Sequence, residues 1–419
     1  MQFRQLSDQL SQASQQMDSY YARMYTLFGK GAGANKEVAE VKGNAALLKQ
    51  QIAHMPHTVA LYTTVTPDKY SVIVITGATM VARESPVGER ELNQKIGALI
   101  RLLLDPRQDP RPQAEELYKI LIGPIEADLA QAQATTLLWV LDGKLRYLPM
   151  SALYDGKQYL VQRYSSVSVL PVSIPHLSEK PDMKRMSVIG MGISQKYDDN
   201  LSLLPSVENE LDEIVRDPHL KKANGVLPGV ILLNGDFTEK AMEQQLGIGH
   251  SVVHIASHFI LSPGDDSHSY LLLAGKEQEQ AGTGYHLTVA DFRDNQRLAL
   301  DDTELLTLSA CHTGVSADTG DGREVDGLAT TAQLKGAKSV IASLWDVNDN
   351  STGYLMADFY RRWAFGNGSI TKVEALHQAQ IDLLTGKINP KADLSDVSAP
   401  VSFAHPYYWA PFILMGNWQ

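Results

Sequence analysis

The sequence predicts an α/β protein in which a mainly parallel sheet is flanked by helices, in two successive halves behind a helical N-terminal segment. Short apolar runs alternate with amphipathic helical patterns, the signature of a layered α/β fold. Several runs, such as "SVVHIAS" at 251–257 and "ELLTLSAC" at 304–311, are apolar almost throughout, as expected of parallel strands covered on both faces. The alternation occurs on both sides of the polar stretch "KPDMKR" at 180–185, which is the expected boundary, with no sequence repeat between the two sides.

Residues 1–56 form the expected helical segment. Phe3, Leu6, Leu10, Ala13, Met17, Tyr21, Met24 and Leu27 recur at spacings of three and four, which makes one amphipathic helix. "GKGAGAN" at 29–35 breaks it, and a second helical pattern runs from Val38 to Ala53. Such a hairpin either packs on the body or serves as an arm for a partner. In the first half, 57–185, strands are expected at "TVALYTTVT", "KYSVIVITG" and "TLLWVLDG", with helices near 88–104, 112–121 and 124–133. In the second half, 186–419, strands are expected at "MSVIGMGI", "GVILLN", "SVVHIAS", "YLLLAG", "ELLTLSAC" and "KSVIASLW", with a last one inside "HPYYWAPFILMGNWQ". Helices are expected at 206–216, 238–246, 325–336, 349–365 and 370–386, Thr238 capping the second of these with its hydroxyl.

A formal net charge of −11, with no stripe of Lys and Arg, argues against direct nucleic-acid binding and favours basic partners. The single cysteine cannot form an internal disulfide, and the opening residues "MQFRQLSDQL" lack the apolar core of a signal peptide, so a reducing cytoplasm is the expected location. No run approaches the ~18 apolar residues of a membrane span, so no membrane association is expected.

The lone cysteine, Cys311, ends an apolar strand, and His258 follows another in "HIASHF". Ligands bind beyond the carboxyl ends of parallel strands, where loops converge on a site held by a rigid layer. If the two strands are neighbours, about 4.8 Å apart, Cys311 and His258 can share one cleft. An imidazole there would favour the thiolate or shuttle its proton, and the backbone N–H of Cys311 could steady an oxyanion. The ordinary alternative for Cys311 is a small buried hydrophobe. His312 is adjacent to Cys311 but points to the opposite face of an extended chain, which makes it the weaker base. His254 and His258 have an H-x-x-x-H spacing, but on a strand four residues span roughly 13 Å, too far to share a metal. No metal or other cofactor is expected, and His254 reads as a core or supporting residue. His405, beside a proline, reads as structural. "TGDGREVDG" at 319–327 lacks phosphate-loop spacing and reads as a mobile loop, with Asp326 as a helix N-cap.

From about residue 57 onward the chain resembles the CHAT peptidases, caspase-like proteins related to caspases, separases and gingipains. The resemblance rests on "LDGKLRYLPMSAL", "LPSVENEL", "VVHIASHF", "LTLSACHTG", "GLATTAQLKGAKSVIASLW" and "HPYYWAPFILMG", in family order. It implies a caspase-like sandwich whose first half is a degenerate pseudo-caspase domain and whose second half is an active cysteine endopeptidase, with His258 and Cys311 as the dyad. It further implies that the backbone N–H of Phe259, where the family usually has glycine, joins that of Cys311 in the oxyanion hole. In caspases a Trp-Arg pair recognises an acidic P1 residue. Trp345-Asp346 stands in the similar place, so Asp346, or nearby Asp349, would select a basic P1 residue unless either caps the helix starting near Ser351. The expected partners are a protein substrate and an activating protein or sensor domain acting through the N-terminal helices, in bacterial defence or signalling. The alternative is a silent caspase-like scaffold that binds a partner.

Overall fold

The computed structural model describes residues 15, 17, 19–21, 32–199, 201–219, 225–262, 267–275, 284–313, 323–347, 349–366, 368–389 and 402–419; of 32–35, 37, 310–313, 323–325 and 349 it describes the backbone alone. Residues 1–14 and the glycine-rich stretch 314–322 therefore lie outside the described residues.

Met17, Tyr20 and Tyr21 are buried helical residues. They precede α1 (Ala32–Ile52), which begins earlier than its sequence suggests. Ala32–Asn35 belong to this helix, because a glycine costs it only about 1 kcal/mol relative to alanine and here sits in the first turn. Val38, Ala45, Leu48 and Ile52 form its buried stripe. Lys42 Nζ lies 5.6 Å from the Tyr21 ring centroid, so the two helical stretches touch.

There follow β1 (Thr58–Val65), β2 (Tyr70–Ile75), β3 (Met80–Ser85), α2 (Glu89–Leu103), α3 (Arg111–Leu121), α4 (Glu126–Gln131), β4 (Thr136–Val140) and β5 (Ser165–Ser168). β3 was not expected. Its "MVARES" carries charges at an edge, where they discourage pairing with another chain and hide the strand period. Next come β6 (Val188–Gly192), α5 (Val207–Ile214), β7 (Val215–Arg216), β8 (Leu227–Leu233), α6 (Glu239–Leu246) and β9 (Val252–Leu261). The helix expected over 206–216 thus ends at Ile214, and its last two residues pair with β8. The Thr238 hydroxyl accepts the Ala241 N–H at 3.2 Å, as its position before α6 requires. The chain continues through β10 (Tyr270–Ala274), β11 (Gly284–Thr288), α7 (Val289–Asp294), β12 (Leu305–Thr313), α8 (Arg323–Leu334), β13 (Ser339–Ser343), α9 (Asp349–Phe365), α10 (Lys372–Leu384) and β14 (Phe412–Gly416). β11 and α7 were not anticipated, and α8 starts early enough to include Asp326, which therefore is not its N-cap.

One sheet runs β3-β2-β1-β4-β5-β14-β13-β12-β9-β6-β8-β7, with β10 and β11 attached to the far end of β9. β8, β6, β9, β12 and β13 are all mutually parallel. Counted along the chain they stand in the order 2-1-3-4-5, so strand order reverses between β6 and β9. β14 is antiparallel to β13 and parallel to β5, which turns the β1, β4 and β5 strands the opposite way. β5 and β14 meet at one residue pair, Met415 with Ser168.

Candidate active site

In an open parallel sheet the crevice for a ligand opens outside the carboxyl ends of the strands, where strand order reverses. Here that point lies beyond β6 and β9. β9 and β12 are adjacent and parallel, as a shared cleft requires. Both run past the positions where they were expected to stop, to Leu261 and Thr313. Ala310 pairs with His258 and Cys311 with Phe259, so the cysteine stands one register step beyond the histidine.

The register shifts just before this level. Leu308 pairs with Ile255 and Ala310 with His258, leaving two residues of β9 opposite Ser309 alone. Such a bulge bends the strand and increases its local twist, while β9 keeps its alternation across it. Val253 and Ile255 line a small apolar cavity with Met242 of α6, Phe292 of α7 and Leu328 of α8, and the buried Phe259 ring joins them there. His254 points the other way, toward α5 and α9.

His258 is 5% exposed, and its Nε2 lies 2.8 Å from the carbonyl oxygen of Ser202. A carbonyl only accepts, so Nε2 carries the hydrogen and the neutral ring keeps its lone pair on Nδ1. Ser202 belongs to the segment between β6 and α5, which is held at several points. The Asn234 side-chain oxygen accepts the N–H groups of Ser194 and Gln195, at 2.8 and 3.1 Å. The Tyr197 carbonyl accepts the Gly284 N–H at 2.9 Å, and Ser206 Oγ lies 2.8 Å from Asn350 Oδ1 at the start of α9. Leu204 packs with Val207, Leu211 and Ala256. α5 approaches β6 closely because position 192 is glycine: a Cβ there would stand 2.5 Å from Val207 Cγ1.

Asp346 follows β13 and is half-buried. Its carbonyl accepts the Tyr407 hydroxyl at 3.1 Å, while the Trp345 Nε1–H donates to the Tyr407 carbonyl at 3.1 Å. Burial, and then the Asp346 carboxylate, push the Tyr407 hydroxyl up to about 12. Asp349 is the first residue of α9, whereas Asp346 lies outside that helix. His405 bonds to backbone at both nitrogens, with the Gln108 carbonyl 3.0 Å from Nε2 and the Tyr407 N–H 3.1 Å from Nδ1. Burial lowers its pKa. His254 is fully buried between Glu210 and Tyr360. Among the described residues no cluster of three or more His, Cys, Asp or Glu side chains can hold a metal ion, and no helix is long and apolar enough to cross a membrane. The Ser202 carbonyl was not legible as part of the candidate site, and the partner of Asp326 was not legible either. Asp326 pairs with Arg146, from the segment after β4, and so ties the start of α8 to the N-terminal strands.

A family model of the CHAT domain matches residues 111–417. The chain belongs to the CHAT domain family. A comparison with curated proteins found no match. Among solved structures the CHAT chain is similar to separase in the Saccharomyces cerevisiae separase–securin complex, at 11% identity and a TM-score of 0.51, over 91% of this chain and 31% of separase. It thus spans about a third of the separase chain, and the likeness is one of fold. The Arg-specific cysteine proteinase gingipain R of Porphyromonas gingivalis aligns over 78% of this chain and 74% of its own, at 9% identity and a TM-score of 0.42. The caspase-like α/β architecture expected from the CHAT motifs is the one observed.

Proposed function

We propose that this CHAT chain is a cysteine endopeptidase in which Cys311 is the nucleophile and His258 the base. The observation that carries the reading is the hydrogen bond from His258 to the Ser202 carbonyl, one register step from Cys311 at the switch point of the sheet. With Nε2 so occupied, Nδ1 takes the thiol proton. The thiolate attacks the scissile carbonyl carbon, and the tetrahedral intermediate collapses as the imidazolium returns the proton to the leaving amine. Water then attacks the thioester, with His258 again as base, releasing the acid and regenerating the thiol. The backbone N–H groups of Phe259 and Cys311 steady the oxyanion.

Asp346, with Asp349 as the neighbouring candidate, selects a basic residue at P1, since a partly buried carboxylate beside the scissile bond attracts an opposite charge on the substrate. The substrate is a protein, cleaved in the cytoplasm. His258 is nearly closed off from solvent, which fits a chain that awaits a partner or upstream signal before its cleft opens. The first-half strands act as a pseudo-caspase support, and the N-terminal helices offer the partner a foothold. The proposed role is in bacterial defence or signalling.

The test is digestion of a mixed peptide library by wild type, Cys311→Ala and His258→Ala. Cleavage by wild type alone is expected. Cleavage that persists in both variants removes the dyad. Absence of cleavage in every condition, partner candidates included, leaves the same closed site to a silent binding scaffold.

A further inference from the structure

A chain of buried polar groups runs through the apolar layer upstream of the site. Glu210 Oε1 lies 2.9 Å from His254 Nε2, His254 Nδ1 lies 3.2 Å from the Tyr360 hydroxyl, and that hydroxyl lies 2.7 Å from Thr307 Oγ1. Glu210 is 2% exposed, and the other three are fully buried. The His254 and Tyr360 rings meet edge to face at 5.5 Å. One proton order satisfies every link: Thr307 donates to Tyr360, Tyr360 to Nδ1, and Nε2 to the Glu210 carboxylate. Burial raises the Tyr360 pKa, so its hydroxyl keeps the proton it donates.

The four residues come from four elements, and each of those elements leads into the site. β9 carries His254 and, four residues on, His258; β12 carries Thr307 and, four residues on, Cys311. His254 and Thr307 are direct register partners, below the bulge that separates this level from the dyad. Glu210 lies on α5, whose preceding segment holds the Ser202 carbonyl, and Tyr360 lies on α9, which begins just after Asp346. The bonds therefore fix both strands against both helices on the face toward which His258 and Ser202 are turned. Apolar side chains could fill the same volume, but they would allow the strands to slide against the helices. Directional bonds do not.

We propose that Glu210, His254 and Tyr360 are positioning residues: their network sets the distance between the Ser202 carbonyl and His258 and hence the coupling of His258 to Cys311. This rests on the dyad reading above. The single cysteine of the chain allows a test without any peptide substrate. The rate of Cys311 alkylation by iodoacetamide, followed by mass spectrometry across pH 5 to 10, reports the thiolate fraction and its coupling to the imidazole.

Tyr360→Phe removes one hydroxyl and keeps the ring, and Glu210→Gln keeps size and a hydrogen-bonding oxygen, with circular dichroism confirming that each is folded. Both are expected to move the alkylation pH profile toward that of His258→Ala and to slow the reaction at pH 7 by about tenfold, the scale of a small misplacement of reacting groups. Any measurable turnover should fall in kcat more than KM changes. A profile moved by His258→Ala but identical to wild type in both folded network variants overturns the positioning role alone. A profile that His258→Ala leaves unmoved overturns the dyad, and the positioning role with it.

Discussion

Nε2 of His258 and the carbonyl oxygen of Ser202 stand 2.8 Å apart, which joins the end of β9 to the segment that leaves β6. A backbone carbonyl cannot be removed by substitution, but its position can be moved. Gly192 ends β6, and a Cβ added there would lie 2.5 Å from Val207 Cγ1 and 3.0 Å from the Ala256 carbonyl. Gly192→Ala therefore pushes α5 outward and carries the Ser202 segment with it. The expected cost is about 1 to 3 kcal/mol in urea unfolding, with a loss of peptidase rate larger than the unfolded fraction explains. A variant of normal stability and normal rate would separate α5 from the site.

In the proposed reading the Asp346 carboxylate recognises the P1 side chain, and its backbone carbonyl accepts the Tyr407 hydroxyl. Asp346→Asn removes the charge without disturbing that bond. Cleavage after Lys and Arg is expected to fall by about 2 kcal/mol in transition-state stabilisation relative to uncharged residues, with the unfolding midpoint little changed. A peptide library with a randomised P1 position measures it, and an unaltered preference would move the assignment to Asp349.

Much of this was legible in the sequence because burial on both faces leaves an apolar signature. β6, β9, β12 and β13 are largely apolar runs, and they are the strands that surround the candidate site. Adjacent strand ends then bring His258 and Cys311 to neighbouring register positions without further information. The bulge was not legible, because it is a property of the pair of strands rather than of either one. Nor was the Ser202 contact, since any residue supplies a carbonyl. β3 and β11 were hidden by charge and partial exposure, which erase the alternation that marks a strand. Asp326 looked like a cap from its local residues, whereas its partner Arg146 lies in the other half of the sequence.

The Arg146–Asp326 pair links α8 to the segment after β4, across the side of the molecule where β5 and β14 share a single register pair. Both side chains are partly exposed, so solvent screens the attraction, and a double-mutant cycle with Arg146→Met and Asp326→Asn should give a coupling of about 0.5 to 1 kcal/mol. The coupling should shrink in high salt. A value near zero at low salt would mean that this contact does not tie the N-terminal strands to α8.

Lys372 is the first residue of α10 and is fully buried, and among the described residues its Nζ has no hydrogen-bond partner. The amine lies 5.7 Å from the centroid of the Trp363 ring, which gives it the attraction of a π face but no ion pair. Burial lowers its pKa from 10.5 to about 8, against a smaller upward pull from Glu304. Between those two values the unfolded chain holds a proton that the folded chain has released, so stability rises with pH through this window. That contribution is complete above about 10.5 and is lost as pH falls through about 8. At neutral pH the folded protein therefore bears a buried, poorly compensated charge, at a cost on the order of 3 kcal/mol. Lys372→Met has a similar shape and no charge. It is expected to raise the urea midpoint at pH 7 and to flatten the rise in stability that wild type undergoes between about pH 8 and 10.5. If both proteins climb equally over that range, the titrating group lies elsewhere, and Lys372 is accommodated as a charge at no measurable cost.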